Sequence, residues 1–157
     1  MSDTTNAALA LPVPVADRDT QPFWSGCDEQ QLLIQRCSGC HRWIWQPMPL
    51  CPNCHRPDPV WTTVSGDGTI ASWTVIRPPV LAGHAGRTPF VIVLVELVEG
   101  VRLLGYLVDD AGEWLITDGV DEGIAMGAPA RLRWHRQDGR WLPSWTLGAL
   151  GATDDPS

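Results

Sequence analysis

The sequence predicts a mainly β protein: a short N-terminal helix, a four-cysteine metal ribbon and a small closed barrel of five strands. Three observations predict it. Two C-x-x-C pairs, Cys37–Cys40 and Cys51–Cys54, stand ten residues apart in a turn-rich stretch. Short runs of β-branched and aromatic residues follow, divided by Gly-rich turns. No long helical periodicity occurs among them, and short strands without long helices favour a barrel. At 157 residues the chain suits one domain, with or without a small appendage.

Taken in order, residues 1–19 mix Ala, Thr, Pro and Asp without periodicity and read as a flexible tail. Residues 20–36 form the helical segment. Thr20 can cap a helix, Pro22 suits its first turn, and Phe23, Trp24 and Cys27 share one face. Gly26 weakens that helix. Residues 37–60 hold Gly39, Pro47, Pro49, Pro52 and Asn53, and too few apolar side chains for a core, so something must staple them. Residues 61–146 read as strands at 61–65, 69–77, 89–98, 101–109 and 129–136, with a short last one at 141–145. Residues 90–98 (FVIVLVELV) are almost continuously apolar, which predicts burial of both faces. Arg131, Arg133 and His135 alternate with Leu132 and Trp134, as on a half-buried strand. Glu99-Gly100 and Gly66–Gly68 read as hairpin turns. Residues 147–157 look like a second loose tail.

The cysteines carry the sharpest chemistry. Each C-x-x-C makes a knuckle with two sulfurs on one side, and two facing knuckles supply the tetrahedron a structural Zn²⁺ takes. Ser38-Gly39 and Pro52-Asn53 are small or turn-forming, as such knuckles need. Iron in place of zinc remains an alternative. Two disulfides would need an oxidising compartment, and a redox C-x-x-C usually stands alone beside a βαβ unit. His41 and His55 give CSGCH and CPNCH, the c-type haem pattern, but the chain lacks the helical bulk to wrap two haems. Cys27 reads as a helix-face residue. His84 and His135 have no partner at a readable spacing and take a surface role by default.

Charge excludes further chemistry. Eighteen acidic residues face eleven basic ones, a net charge of −7, and every basic residue is arginine. A Schiff-base or P-loop lysine cannot come from this chain. The acidic balance argues against nucleic acid. G-x-S-x-G and H-E-x-x-H motifs are missing. No run reaches the ~18–20 apolar residues of a membrane span, and residues 6–16 lack a basic n-region, so the expectation is a cytoplasmic chain with reduced thiols.

Several segments together resemble the domain-of-unknown-function 35 family. They are PFW at 22–24, LLIQRCSGC at 32–40, CPNC at 51–54, VSGDGTIASWTVIRPP at 64–79, FVIVLVELVEGVRLLGYLV at 90–108 and GIAMGAPARL at 123–132. The resemblance implies an N-terminal helical segment, a rubredoxin-like zinc ribbon on Cys37, Cys40, Cys51 and Cys54, and a C-terminal OB-fold. It implies an accessory protein that binds a thiolase-like enzyme, an aldolase or acyltransferase acting on acyl-CoA thioesters, including steroid side-chain degradation. It also implies acyl-CoA as a ligand shared with that partner, and a hotdog-fold hydratase as a further partner. This chain is similar to the stand-alone form.

Any phosphate contact must then come from arginine, and Arg77 and Arg87 are the loop candidates. Nine tryptophans suggest a buried partner surface, with Trp24, Trp43 and Trp45 nearest the ribbon. Two other functions remain: a single-stranded nucleic-acid module, by analogy of fold, and a stand-alone acyl-CoA thioesterase.

Overall fold

The computed structural model describes residues 10–148. The outer ends of the two expected tails, 1–9 and 149–157, lie outside the described residues. Helix α1 spans Gln21–Asp28 and buries Phe23, Gly26 and Cys27. Thr20 stands at its N-cap but does not cap with its own hydroxyl. Its Oγ1 donates to Asp17 Oδ1 at 2.6 Å instead, and that oxygen also accepts the Thr20 N–H at 2.8 Å. The same carboxylate takes the Asp19 N–H, so Asp17 organises the helix entry. Gly26 costs helix propensity but permits a close approach: a Cβ there would lie 2.8 Å from Gln31 O and the Leu33 side chain.

A three-stranded antiparallel sheet follows, of β1 (Leu33–Arg36), β2 (Trp43–Ile44) and β3 (Val60–Thr63), in order β2-β1-β3. The strand expected at 61–65 therefore forms, but it pairs with β1, from Leu33↔Thr63 to Arg36↔Val60. It is a ribbon strand rather than a barrel strand. Gly66–Gly68 consequently crosses between two sheets and is not a hairpin turn.

The second sheet holds β4 (Gly68–Ile76), β5 (Phe90–Leu97), β6 (Arg102–Tyr106), β7 (Pro129–Gln137) and β8 (Arg140–Leu147), in order β6-β5-β4-β7-β8. A bulge between Ile70 and Ser72 bends β4. The sheet closes where Leu107 bridges Trp145 and the Val108 N–H donates to Trp145 O at 3.0 Å. Fully buried Trp145 fills the closure, and its indole N–H donates to Gly66 O. Val91, Val93, Val95 and Leu97 point into the barrel, whereas Ile92, Leu94 and Glu96 are only half-buried. The expectation that both faces of β5 are buried is thus corrected, because no second layer covers its outer side completely. Phe23, Cys27, Leu32 and Ile34 join the same core, so helix, ribbon sheet and barrel share one apolar interior.

The inner part of the first tail is also tied down. Leu11 is buried, its N–H donates to Asp138 Oδ2 at 3.0 Å, and Gln137 Nε2 donates to Pro12 O at 3.0 Å. A single buried leucine creates no periodicity, so the sequence does not announce this strap.

Closure leaves little room at Gly105, where a Cβ would sit 2.5 Å from both Pro143 O and the Trp145 ring. Gly105→Ala should push β6 from β8 and cost about 1–3 kcal/mol. A denaturant midpoint equal to that of the wild type would show that the strands are less tightly closed.

Candidate metal centre and adjoining cavities

The two knuckles repeat the same backbone bonds. Cys37 N–H donates to Arg42 O at 2.9 Å and His41 N–H to Cys37 O at 3.0 Å. Cys51 N–H donates to Arg56 O at 2.9 Å and His55 N–H to Cys51 O at 2.9 Å. His41 and His55 are exposed and occupy the left-handed region, at φ 59° and 58°. Histidine is among the residues that tolerate this conformation. The repeated Cys-His dipeptide is thus turn chemistry rather than haem attachment.

All four Sγ atoms lie within 4.8 Å of one another. Cys37 and Cys54 approach to 3.5 Å, Cys40 and Cys51 to 3.6 Å. A tetrahedron of Zn–S bonds near 2.3 Å has sulfurs about 3.8 Å apart, so the cluster fits zinc. Disulfide bonds would be far shorter, about 2.05 Å, and the cysteines are free.

The thiols of the cluster ionise unequally. The Arg42 backbone N–H and the Asn53 side chain pull the Cys40 thiol down to about 6. The Cys40 backbone N–H, ahead of the other backbone and sulfur contacts, lowers Cys37. The Arg56 N–H favours a Cys54 thiolate, but the Cys37 sulfur, burial and the two remaining sulfurs outweigh it and push Cys54 up to about 11. Four thiolates this close repel one another until a cation neutralises them. The ribbon's own core is only Cys37, Ile44 and Cys51, with Cys40 against it. Metal binding, which contributes on the order of 10–16 kcal/mol in such peptides, is what can order it.

Cys27 is different. Burial, with a smaller contribution from Asp28, pushes its thiol up to about 12, which makes it an inert core residue.

Trp24 and Trp45 come together around Phe23, with ring centroids 4.8 and 4.7 Å away. They line a cavity of about 490 Å³ between the helix, the loop joining the knuckles and the barrel. Trp43 does not enter it. Arg36 lies 5.0 Å over the Trp43 ring, on a neighbouring groove. Arg77 is exposed and ion-paired with Asp118 at 3.5 Å. Arg87 lies 5.9 Å over Trp114 and borders a separate cavity of about 390 Å³ with His135 and Arg136. The two candidate arginines therefore do not share a site.

His84 and His135 are buried, which corrects the surface role expected of them. They flank Trp114 in an aromatic cluster with Phe90 and Tyr106. His84 Nδ1 accepts the Leu81 N–H, and His135 Nδ1 bonds Gly112 O at 3.0 Å. Sequence reasoning missed both the cluster and the 490 Å³ cavity because their walls come from widely separated segments; no local pattern marks either.

Two models of one family match in tandem: the ChsH2 rubredoxin-like zinc ribbon over residues 24–60, and the ChsH2 C-terminal OB-fold over residues 61–135. Together they span most of the chain. The chain belongs to the ChsH2-type DUF35 family. This DUF35 chain is 34% identical over 129 residues to a probable enoyl-CoA hydratase alpha subunit of Thermomonospora curvata, covering 81% of the chain and 36% of that protein. It is 34% identical over 147 residues to the 3-oxo-4,17-pregnadiene-20-carboxyl-CoA hydratase alpha subunit of Mycobacterium tuberculosis, covering 89% and 40%. The chain thus spans less than half the length of these two relatives. A DUF35 domain-containing scaffold protein of Methanocaldococcus jannaschii is 29% identical over 83% of the chain and 89% of its own length. Among solved structures, a chain of the Ltp2–ChsH2(DUF35) aldolase superposes with a TM-score of 0.74 at 30% identity, covering 87% of this chain and all of that one. The five-stranded barrel is accordingly an OB-fold, and the ribbon is of the rubredoxin-like zinc type.

Two predictions concern the thiols. Cys37→Ser and Cys51→Ser should each lose bound zinc and unfold the ribbon; metal analysis and near-UV circular dichroism read both effects. A disulfide reagent at pH 8 should label the four ribbon cysteines only after chelation, and Cys27 only after global unfolding. Fast labelling of Cys27 in native protein would contradict its burial.

Proposed function

We propose that this chain is a non-catalytic accessory subunit of a thiolase-like enzyme acting on acyl-CoA thioesters, with a structural zinc held by Cys37, Cys40, Cys51 and Cys54. The observation that carries the proposal is the likeness to the Ltp2–ChsH2 aldolase, which covers that neighbour's whole chain. The side chains within this subunit agree with the reading. Three side chains of types that serve as nucleophile or base elsewhere are tied into structure here: Cys27 is buried with a raised pKa, and His84 and His135 bond to backbone. The relatives named as hydratase alpha subunits support a second partner, a hotdog-fold hydratase.

Acyl-CoA would be shared with the partner rather than transformed here. Arg87 suits a phosphate contact better than Arg77, because Arg77 is already paired with Asp118. The Arg87 cavity is also lined by Trp114 and Gln137, whose Nε1 and Oε1 are buried without a hydrogen-bond partner among the described residues. A pantetheine arm carries amides, which offer the acceptor and the donor those two atoms lack.

Co-expression with a thiolase-like protein from the same organism tests the reading. The two should elute together, and partner activity should fall when this chain is omitted. Separate elution with unchanged activity would falsify the proposal. In the assembled complex, Arg87→Ala should raise KM for acyl-CoA about tenfold or more, by loss of a charged contact worth about 1.5–3 kcal/mol. Arg77→Ala should leave KM unaltered.

A further inference from the structure

The 490 Å³ cavity has a chemistry that CoA does not match. Its floor is apolar, built by Phe23, Trp24, Trp45, Leu103, Tyr106 and Pro143. Among the described residues, both charged side chains on its border are acidic, Asp17 and Asp19, and no arginine or histidine borders it. Hydrogen bonds from the Thr20 hydroxyl and backbone hold the Asp17 carboxyl below its ordinary range, so it is charged in neutral water. Neither carboxylate has a basic partner within 4 Å among the described residues. A phosphate entering here meets like charge.

The apolar surface also continues past the mouth. Leu104 on β6 borders the cavity and is 66% exposed. Floor and rim together make an apolar seat with acid at one side, a form suited to a large anchor side chain. The walls come from three units at once. Helix α1 gives Phe23 and Trp24, the loop between the knuckles gives Trp45 to Pro47, and the barrel gives β6 and β8. An anchor in this seat touches every part that the metal and the barrel hold in place.

We infer that this cavity seats a large apolar side chain of the partner enzyme, flanked on that partner by a lysine or arginine that reaches Asp17 and Asp19. The inference rests on the accessory-subunit reading above and adds the seat and its charge. Complementary charge of this kind selects the partner and its orientation. It also separates two surfaces: a basic partner segment docks here, while the anionic ligand is left to the arginine-bearing cavity.

Two arms test it, both on the full chain with zinc bound. Phenethylamine and phenylacetate share one apolar body and carry opposite charge. The amine should give a saturable change in tryptophan fluorescence, and phenylacetate at the same concentration should give less. Asp19→Asn, which leaves the Asp17 bonds of the helix entry in place, should narrow that difference. Equal binding of both compounds, or no saturable change, overturns the stated chemistry. In the second arm, Leu104→Arg places bulk and positive charge at an exposed rim. It should weaken association with the co-expressed thiolase-like protein about tenfold or more, the loss expected of a central anchor. Zinc content and unfolding midpoint should stay at wild-type values. Undiminished binding by Leu104→Arg overturns the seat and leaves the accessory reading standing. A wild-type chain that fails to bind the partner overturns both.

Discussion

Four sulfurs within 4.8 Å of one another are a repulsive arrangement without a cation and a strong ligand set with one. Much of the remaining architecture depends on that balance. Between the knuckles the chain has ten residues, and the ribbon's private core is three side chains. Such a segment cannot hold β2 against β1 by burial alone. Once the sulfurs are clamped, β1 is fixed, and Leu32 and Ile34 enter the common core. Trp45 is fixed as well, since it lies in the loop that the two knuckles close. A centre with no chemistry of its own therefore shapes an apolar wall beyond its own ligands.

The barrel is governed by a second constraint, the closure at Trp145. An open five-stranded sheet would expose the backbone edges of β6 and β8. Here the two edges meet, with Gly105 admitting Pro143 and the Trp145 ring at a distance no side chain allows. The Trp145 indole reaches Gly66 O, in the crossover between the two sheets. Ribbon and barrel are thus joined by a hydrogen bond as well as by shared apolar packing. The joint explains why β3, adjacent in sequence to the barrel, can belong to the ribbon sheet without opening a gap.

What the sequence made legible follows from locality. The cysteines were readable because a knuckle is set by four consecutive residues and their turn chemistry. The strands were readable because β-branched runs and Gly turns are local. Pairing is not local: Trp61 faces Gln35 across 26 positions, and nothing in residues 61–65 alone says so. Burial of His84 and His135 needed Trp114, Phe90 and Tyr106 to gather from separate loops and strands. Trp24 and Trp45 could be named for their nearness to the ribbon, but only the fold shows that they share a cavity and that Trp43 stands outside it.

Tyr106 stands between two unlike environments. It lines the acid-rimmed apolar cavity, while its ring lies 4.3 Å from Trp114 and 5.8 Å from His135, which border the arginine-bearing one. Across one aromatic ring the bordering charge changes from two carboxylates to a mixed set that includes Arg87 and Arg136. A net charge of −7 disfavours the approach of anions and favours that of basic groups. Local arginines are then the means by which such a chain tolerates an anion at all. With no lysine available, a phosphate contact on the proposed reading would be made by a planar guanidinium, which can bind in two-pronged fashion and so favours one orientation. The absence of lysine thus removes Schiff-base chemistry from the chain and leaves arginine as the side chain that would have to meet a phosphate.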